Sequence, residues 1–185
     1  MPILIKWRLA RGTGRAAGLH YRGDVVTQSN RLARISAVVA GLGLALAATA
    51  AVLPYDEQAD PDAQLHSALR DARRAHKRVL IVFGANWCED CRALDHAFHD
   101  GATGRLIRAR YVVLKVDVGH FDKNLDFAAL YGKPIEKGIP SVVVVTPKNE
   151  VVYRTRAGEL ADARSMGSDG IRDFFRDIAA RPPAD

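Results

Sequence analysis

The pattern of apolar and polar positions predicts helices that alternate with strands after residue 60. Asp60-Pro61 reads as a helix cap followed by a first-turn proline, and places the start of the first helix there. Apolar residues at helical spacing predict helices over 61–77, from residue 88 onwards, and over 103–108, 125–131 and 171–179. A continuous apolar run predicts a strand over 79–83, and segments rich in valine and other apolar residues predict strands over 111–117, 141–145 and 151–154. The turn-forming segment 146–150 makes the last two strands a hairpin.

This order of elements predicts the fold class. Helices between the first strands require parallel crossovers, whereas the hairpin is antiparallel. We therefore expect an α/β fold with a central mixed sheet that helices flank on both faces. The predicted domain spans residues 61–180, after a linker over 54–60 and before a short tail over 181–185.

The N-terminal part has the pattern of an export signal. Residues 35–53 carry no charge, Arg31 and Arg34 precede them, and Ala48-Thr49-Ala50 offers a cleavage site. The 19 residues also suffice to span a bilayer, so an uncleaved anchor is the alternative. A buried core helix is disfavoured by the flanking charges. Both favoured interpretations place the domain in the periplasm or another extracytoplasmic space, with membrane contact limited to residues 35–53.

The net charge of +6 does not predict a nucleic-acid partner. Residues 1–34, a basic leader expected to be mobile, hold seven basic side chains and one acidic one, which accounts for the whole excess. The remaining residues are formally neutral. A basic arm before an apolar segment is typical of membrane orientation and not of a phosphate-binding face.

The only two cysteines, Cys88 and Cys91, lie three residues apart. A bridge of that span closes too small a loop to be a useful structural staple, so a chemical role is favoured. Cys88 falls in the first turn of a predicted helix, where unpaired N–H groups and the helix dipole stabilise a thiolate. Cys91 lies one turn further on the same face. We predict that Cys88 is the nucleophile and Cys91 the resolving thiol.

Two separated motifs resemble the thioredoxin family over roughly residues 60–180. Trp87-Cys88-Glu89-Asp90-Cys91 follows an apolar strand, and Gly138-Ile139-Pro140-Ser141 precedes a valine run. The resemblance implies a thioredoxin fold with Pro140 in cis, packed against the active sulfur. It also implies that the backbone of Ile139 pairs with an incoming peptide. Trp87 is expected to shield the site.

The resemblance further implies a thiol–disulfide oxidoreductase that needs no cofactor. Its partners would be protein disulfide substrates and a dithiol electron donor. Two departures from the family pattern matter. Val82 stands where many thioredoxins have a buried aspartate, so proton handling must come from water or from another group such as Glu136. Glu89 and Asp90, between the cysteines, oppose a nearby thiolate and predict a reducing or mildly reducing protein that its partner drives, and not a strong oxidant.

Two alternatives remain at this point. A Cys-x-x-Cys pair also begins zinc sites, and His96 and His99 follow on the same helix. His96 lies about 140° around the helix from Cys91, however, so four ligands could not converge, and we predict no metal site. The other alternative is a non-catalytic thioredoxin-fold module that binds client peptides or copper(I) through the same groove.

Overall fold

The first helix begins at the predicted cap. The Asp60 carboxylate accepts hydrogen bonds from the backbone N–H groups of Asp62, at 2.9 Å, and Ala63, at 3.4 Å. Pro61 occupies the first turn, where its missing N–H costs nothing. His76, in the left-handed conformation, ends the helix. The local sequence thus fixes both ends of this element.

The elements follow the predicted order in the computed structural model, which describes residues 53–182. The helices are α1 (Pro61–Ala75), α2 (Glu89–His99), α3 (Gly101–Arg110), α4 (Leu125–Leu130) and α5 (Ala163–Ala179), with a 3-10 turn at Pro134–Lys137. The strands are β1 (Arg78–Gly84), β2 (Tyr111–Asp117), β3 (Ser141–Val145) and β4 (Val151–Arg154).

The four strands form one mixed sheet in the order β2-β1-β3-β4. β1 pairs with β2 in parallel, while β1–β3 and β3–β4 are antiparallel. The predicted fold class, a mixed sheet between layers of helices, is confirmed. β1 lies inside the sheet, so its carboxyl end at Gly84 opens into a loop surrounded by other elements.

Alternate residues of β1 enter two separate cores. Val79, Ile81 and Phe83 pack on the face that α1 and α4 cover. Leu80 and Val82 pack on the opposite face, against α2, α3 and α5. Because both faces of β1 are covered, the strand is apolar and buried from Val79 to Gly84.

Two helices, α5 and α3, differ most from the sequence prediction. α5 begins at Ala163 and not at Ile171, and it contains a break at Gly167 with φ 64° and ψ 174°. This break, in a segment rich in glycine and serine, hides the helical spacing from sequence analysis. α3 is also longer than predicted, at Gly101–Arg110 in place of 103–108.

The chain before α1 packs on the domain. Tyr55, which the sequence analysis placed in a linker, is 3% exposed and belongs to the core on the α1 side. The predicted leader over 1–34 and nearly all of the predicted export segment over 35–53 lie outside the described residues. Across residues 53–182, no helix has both the length and the hydropathy that a bilayer crossing requires.

Candidate active site

The two cysteines lie at the start of α2, directly after the loop that leaves β1. They form a disulfide, with their Cα atoms 5.2 Å apart. Cys88 is the N-cap residue of α2, and its sulfur accepts a hydrogen bond from the backbone N–H of Cys91 at 3.2 Å. Cys88 is 6% exposed, whereas Cys91 is completely buried. The pair therefore presents one sulfur towards the surface and keeps the other inside.

The N-cap position favours a negative charge on the Cys88 sulfur. The first N–H groups of a helix lack intrahelical partners, and the helix dipole puts partial positive charge there. Once the disulfide is reduced, the same N–H group that now contacts the sulfur can stabilise a thiolate. The predicted placement of Cys88 at a helix start is confirmed by this geometry.

The loop before β3 lies across from Cys88. The Ile139–Pro140 peptide bond is cis, as the resemblance implied, and the Cys88 sulfur lies 3.7 Å from the Ile139 carbonyl oxygen. Ser141 anchors this loop: its hydroxyl donates to the Pro134 carbonyl at 2.6 Å and contacts the Thr155 hydroxyl at 2.9 Å. The motif residues that are distant in sequence are thus brought together around one sulfur.

Arg164, from the first turn of α5, pairs with both acidic residues between the cysteines. Its backbone N–H and its Nε donate to Asp90 Oδ1 at 3.0 and 3.2 Å, and its guanidinium also pairs with Glu89. Burial raises the pKa of Asp90, but the Arg164 backbone N–H and guanidinium outweigh it, and the pKa lies below its usual value. One cation therefore faces two carboxylates, a compensation that the sequence analysis did not foresee.

Trp87 forms part of the rim of the site. The residue is 48% exposed, its Nε1 donates to the Gly119 carbonyl at 2.8 Å, and its ring stacks on His120 with 5.2 Å between ring centroids. Phe121, also exposed, meets the same ring edge-on at 6.4 Å. These aromatic side chains border a surface groove beside the disulfide. The groove is lined by Trp87, Cys88, Glu89, Asp90, Phe121, Gly138, Ile139, Ala161 and Arg164.

The side chains near the buried Cys91 sulfur are not those predicted to handle its proton. Val82 is buried, as an apolar strand residue should be. Glu136, which the sequence analysis named as a candidate, is exposed and pairs with Lys133 at 3.9 Å on the surface. Tyr55 instead occupies the space next to Gly84 and Cys91. The one feature of the sequence that could have indicated this position is that Tyr55 is a single aromatic residue in a polar segment.

The histidines of α2 do not build a metal site with the cysteines. His96 and His99 are exposed, and His99 lies 3.7 Å from the Asp95 carboxylate. In the part of the chain that the structure describes, no group of three or more His, Cys, Asp or Glu side chains is placed to hold a metal ion.

A disulfide at a helix start, facing a cis-proline loop on a mixed α/β sheet, defines a dithiol redox site on a thioredoxin fold. A family model described as Thioredoxin-like matches residues 60–147. A solved disulphide isomerase from Xylella fastidiosa Temecula1 is 51% identical, with 70% of this chain and 98% of that chain covered and a TM-score of 0.67. The chain belongs to the thioredoxin-like family. Its fold and cysteine pair are those of a thiol–disulfide oxidoreductase.

Two further solved structures are more distant. A thioredoxin from Thermus thermophilus is 25% identical over 61% of this chain and 79% of that chain, with a TM-score of 0.43. The C-terminal domain of DsbD from Neisseria meningitidis, in the oxidised form, is 17% identical over 65% and 97%, with a TM-score of 0.43. No curated protein matches the chain.

Proposed function

We propose that this protein reduces or exchanges disulfides in exported proteins, with Cys88 as nucleophile and Cys91 as resolving thiol. The observation that carries the assignment of roles is the difference in exposure between the two sulfurs. Cys88 lies at the helix N-cap beside an open groove, whereas Cys91 is completely buried. A protein client can approach only the first of them.

The reaction needs two exchange steps. In the reduced protein, the Cys88 thiolate attacks one sulfur of a client disulfide, forms a mixed disulfide and releases the other client sulfur as a thiolate. The Cys91 thiolate then attacks the Cys88 sulfur, re-forms the intramolecular disulfide and releases the second client thiolate. Two electrons pass to the client, and a dithiol protein restores the pair. The cysteines carry both electrons, so no organic cofactor is needed.

The groove beside Cys88 suits an extended client segment. Trp87 and Phe121 offer exposed apolar surface, and Ile139, whose carbonyl oxygen lies 3.7 Å from the Cys88 sulfur, lines the same groove. An extended peptide can add its backbone hydrogen bonds at such an edge while its side chains rest on the aromatic rings. Recognition would then depend on backbone geometry and general hydrophobicity, which fits many different clients.

The location of the clients is inferred from the N-terminal sequence. The basic leader and the uncharged segment over 35–53 support export, with the domain either released or anchored. The disulphide isomerase of Xylella fastidiosa adds support for exchange chemistry on a related chain. We therefore place the proposed substrates outside the cytoplasm.

The charges at the site favour reduction less strongly than the sequence alone suggested. Glu89 and Asp90 disfavour a neighbouring thiolate, but Arg164 compensates one of the two charges. Since all three side chains are near the surface, solvent and salt weaken each contribution. We propose a mildly reducing protein whose direction of electron flow is set by its dithiol partner.

A trapping experiment tests this function. In Cys91→Ser the first exchange proceeds but the second cannot, so client proteins should accumulate as mixed disulfides on Cys88. Affinity capture from cells under alkylating conditions, followed by reduction and mass spectrometry, would identify them. Cys88→Ser, which keeps a good helix cap, is the matched control and should capture none. A Cys91→Ser variant without adducts, or with adducts only to cytoplasmic proteins, would contradict the proposal.

A further inference from the structure

Tyr55, in the segment before α1, lies on the buried side of the cysteine pair. A Cβ atom placed on Gly84 would lie 2.9 Å from the Cys91 sulfur and would overlap the Tyr55 hydroxyl. The hydroxyl and the sulfur are therefore neighbours across the glycine at the end of β1. Cys91 is 0% exposed, and the Tyr55 phenol is a polar group on the buried side of its sulfur.

Asn86 holds Tyr55 in this position. The Tyr55 backbone N–H donates to Asn86 Oδ1 at 2.9 Å, and Asn86 Nδ2 donates back to the Tyr55 carbonyl at 2.9 Å. The same Nδ2 also donates to Glu57 Oε1 at 2.9 Å. Because Asn86 lies two residues before Cys88, this pair of hydrogen bonds ties the segment around Tyr55 directly to the active-site loop.

Two carboxylates lie near the buried Tyr55 hydroxyl. Asp95, one helical turn after Cys91 on α2, pairs with Lys115, and Asp117, opposite Gly84 in the sheet, lies 3.4 Å from Lys123. Burial first, and then the Asp95 and Asp117 carboxylates, raise the pKa of Tyr55 far above its usual value. The hydroxyl therefore stays protonated at any working pH and can only act as a neutral O–H donor towards an anion.

The Cys91 thiolate requires a stabilising hydrogen-bond donor at this position. This thiolate must form during the resolving step at a fully buried position, with the Asp95 carboxylate one helical turn further along α2. Both burial and like charge disfavour that anion. A hydrogen bond from a neutral donor to a charged acceptor offsets such a cost more strongly than one between neutral groups.

We propose that Tyr55 is a positioning residue for the resolving step, and that its hydroxyl donates a hydrogen bond to the Cys91 thiolate. In that step the Cys91 thiol gives up its proton, the resulting thiolate attacks the Cys88 sulfur, and the departing client sulfur takes up the proton and leaves as a thiol. Tyr55 keeps its own proton throughout. This inference rests on the proposed role of Cys91 as resolving thiol.

Tyr55→Phe isolates the hydroxyl because the ring and its packing are kept. In a Cys88→Ala background, the Cys91 thiolate is followed by its ultraviolet absorbance as pH is varied. Tyr55→Phe should lower the thiolate-to-thiol ratio of Cys91 by about tenfold at a given pH, which is a pKa higher by about one unit. With both cysteines present, client release from the mixed disulfide should slow by a similar factor at neutral pH and recover in alkali.

Tyr131→Phe is the matched control. Tyr131 is a buried tyrosine of the same core whose hydroxyl contacts Asn149 and not a cysteine. The Tyr131→Phe substitution should leave the Cys91 titration unchanged. Tyr55→Met, which also lacks the hydroxyl, provides a second test if Tyr55→Phe fails to fold. An unchanged Cys91 titration in a folded Tyr55 variant would overturn the inference. That result is independent of client trapping, whose failure would overturn the proposed function alone.

Discussion

Replacing Cys88 by serine is expected to reduce turnover of a protein disulfide to the background rate of the added dithiol. Serine keeps the N-cap of α2, so the fold and the groove should survive. The nucleophile is lost, however, and the buried Cys91 cannot replace it because its sulfur is not accessible to a client. The measurement is reduction of a soluble protein disulfide by dithiothreitol, with and without catalytic amounts of each variant.

The outcome for Cys91→Ser separates the two sulfurs. This variant should lose multiple turnover but should still consume one equivalent of client disulfide in a single burst. If Cys88→Ser retained turnover while Cys91→Ser gave no burst, the roles of the two sulfurs would have to be exchanged. Equal loss of both activities without any covalent adduct would favour the binding-module alternative.

Gly84→Ala is expected to produce the second largest effect, this time on stability. The added methyl group would overlap the Tyr55 hydroxyl and lie 2.9 Å from the Cys91 sulfur, in a site that is closed on all sides. Overpacking of this kind typically costs about 1–3 kcal/mol, since neighbouring side chains must move. Urea unfolding of the oxidised protein, monitored by circular dichroism, should show the loss as a lower midpoint with an unchanged slope.

Gly170→Ala is the control for the backbone effect of the substitution. In α5 the added Cβ would have only Met166 Cβ within 4 Å, at 3.3 Å, and alanine suits a helix better than glycine. Its midpoint should therefore stay closer to that of the parent than the midpoint of Gly84→Ala does. A Gly84→Ala protein as stable as the parent would contradict the close approach of Tyr55 and Cys91 at this glycine.

The strands were predictable because each has a core of β-branched and other apolar residues that turn residues or a helix end interrupt. β2, β3 and β4 have the bounds expected from the sequence, and β1 is longer by one residue at each end. The start of α5 was not predictable, because Gly167 breaks the helical spacing before Ile171. Local patterns therefore defined elements well where one periodicity held throughout, and poorly where the backbone changed direction within an element.

Only the site residues that belong to sequence motifs could be predicted. Cys88 and Pro140 belong to recognisable motifs, so their approach in space followed from the family resemblance. Arg164 and Tyr55 belong to none: they reach the cysteines through tertiary packing, from α5 and from the segment before α1. No spacing rule links an arginine 74 residues away to Asp90, so the charge compensation appears only in three dimensions.

The rate at which Cys88 reacts with iodoacetamide as a function of pH, measured in reduced Cys91→Ser, tests the central claim most directly. If the N-terminus of α2 stabilises the thiolate, the apparent pKa of Cys88 should lie clearly below the value of about 8.5 for an ordinary cysteine. A Cys88 thiol that titrates and reacts like free cysteine would contradict the account.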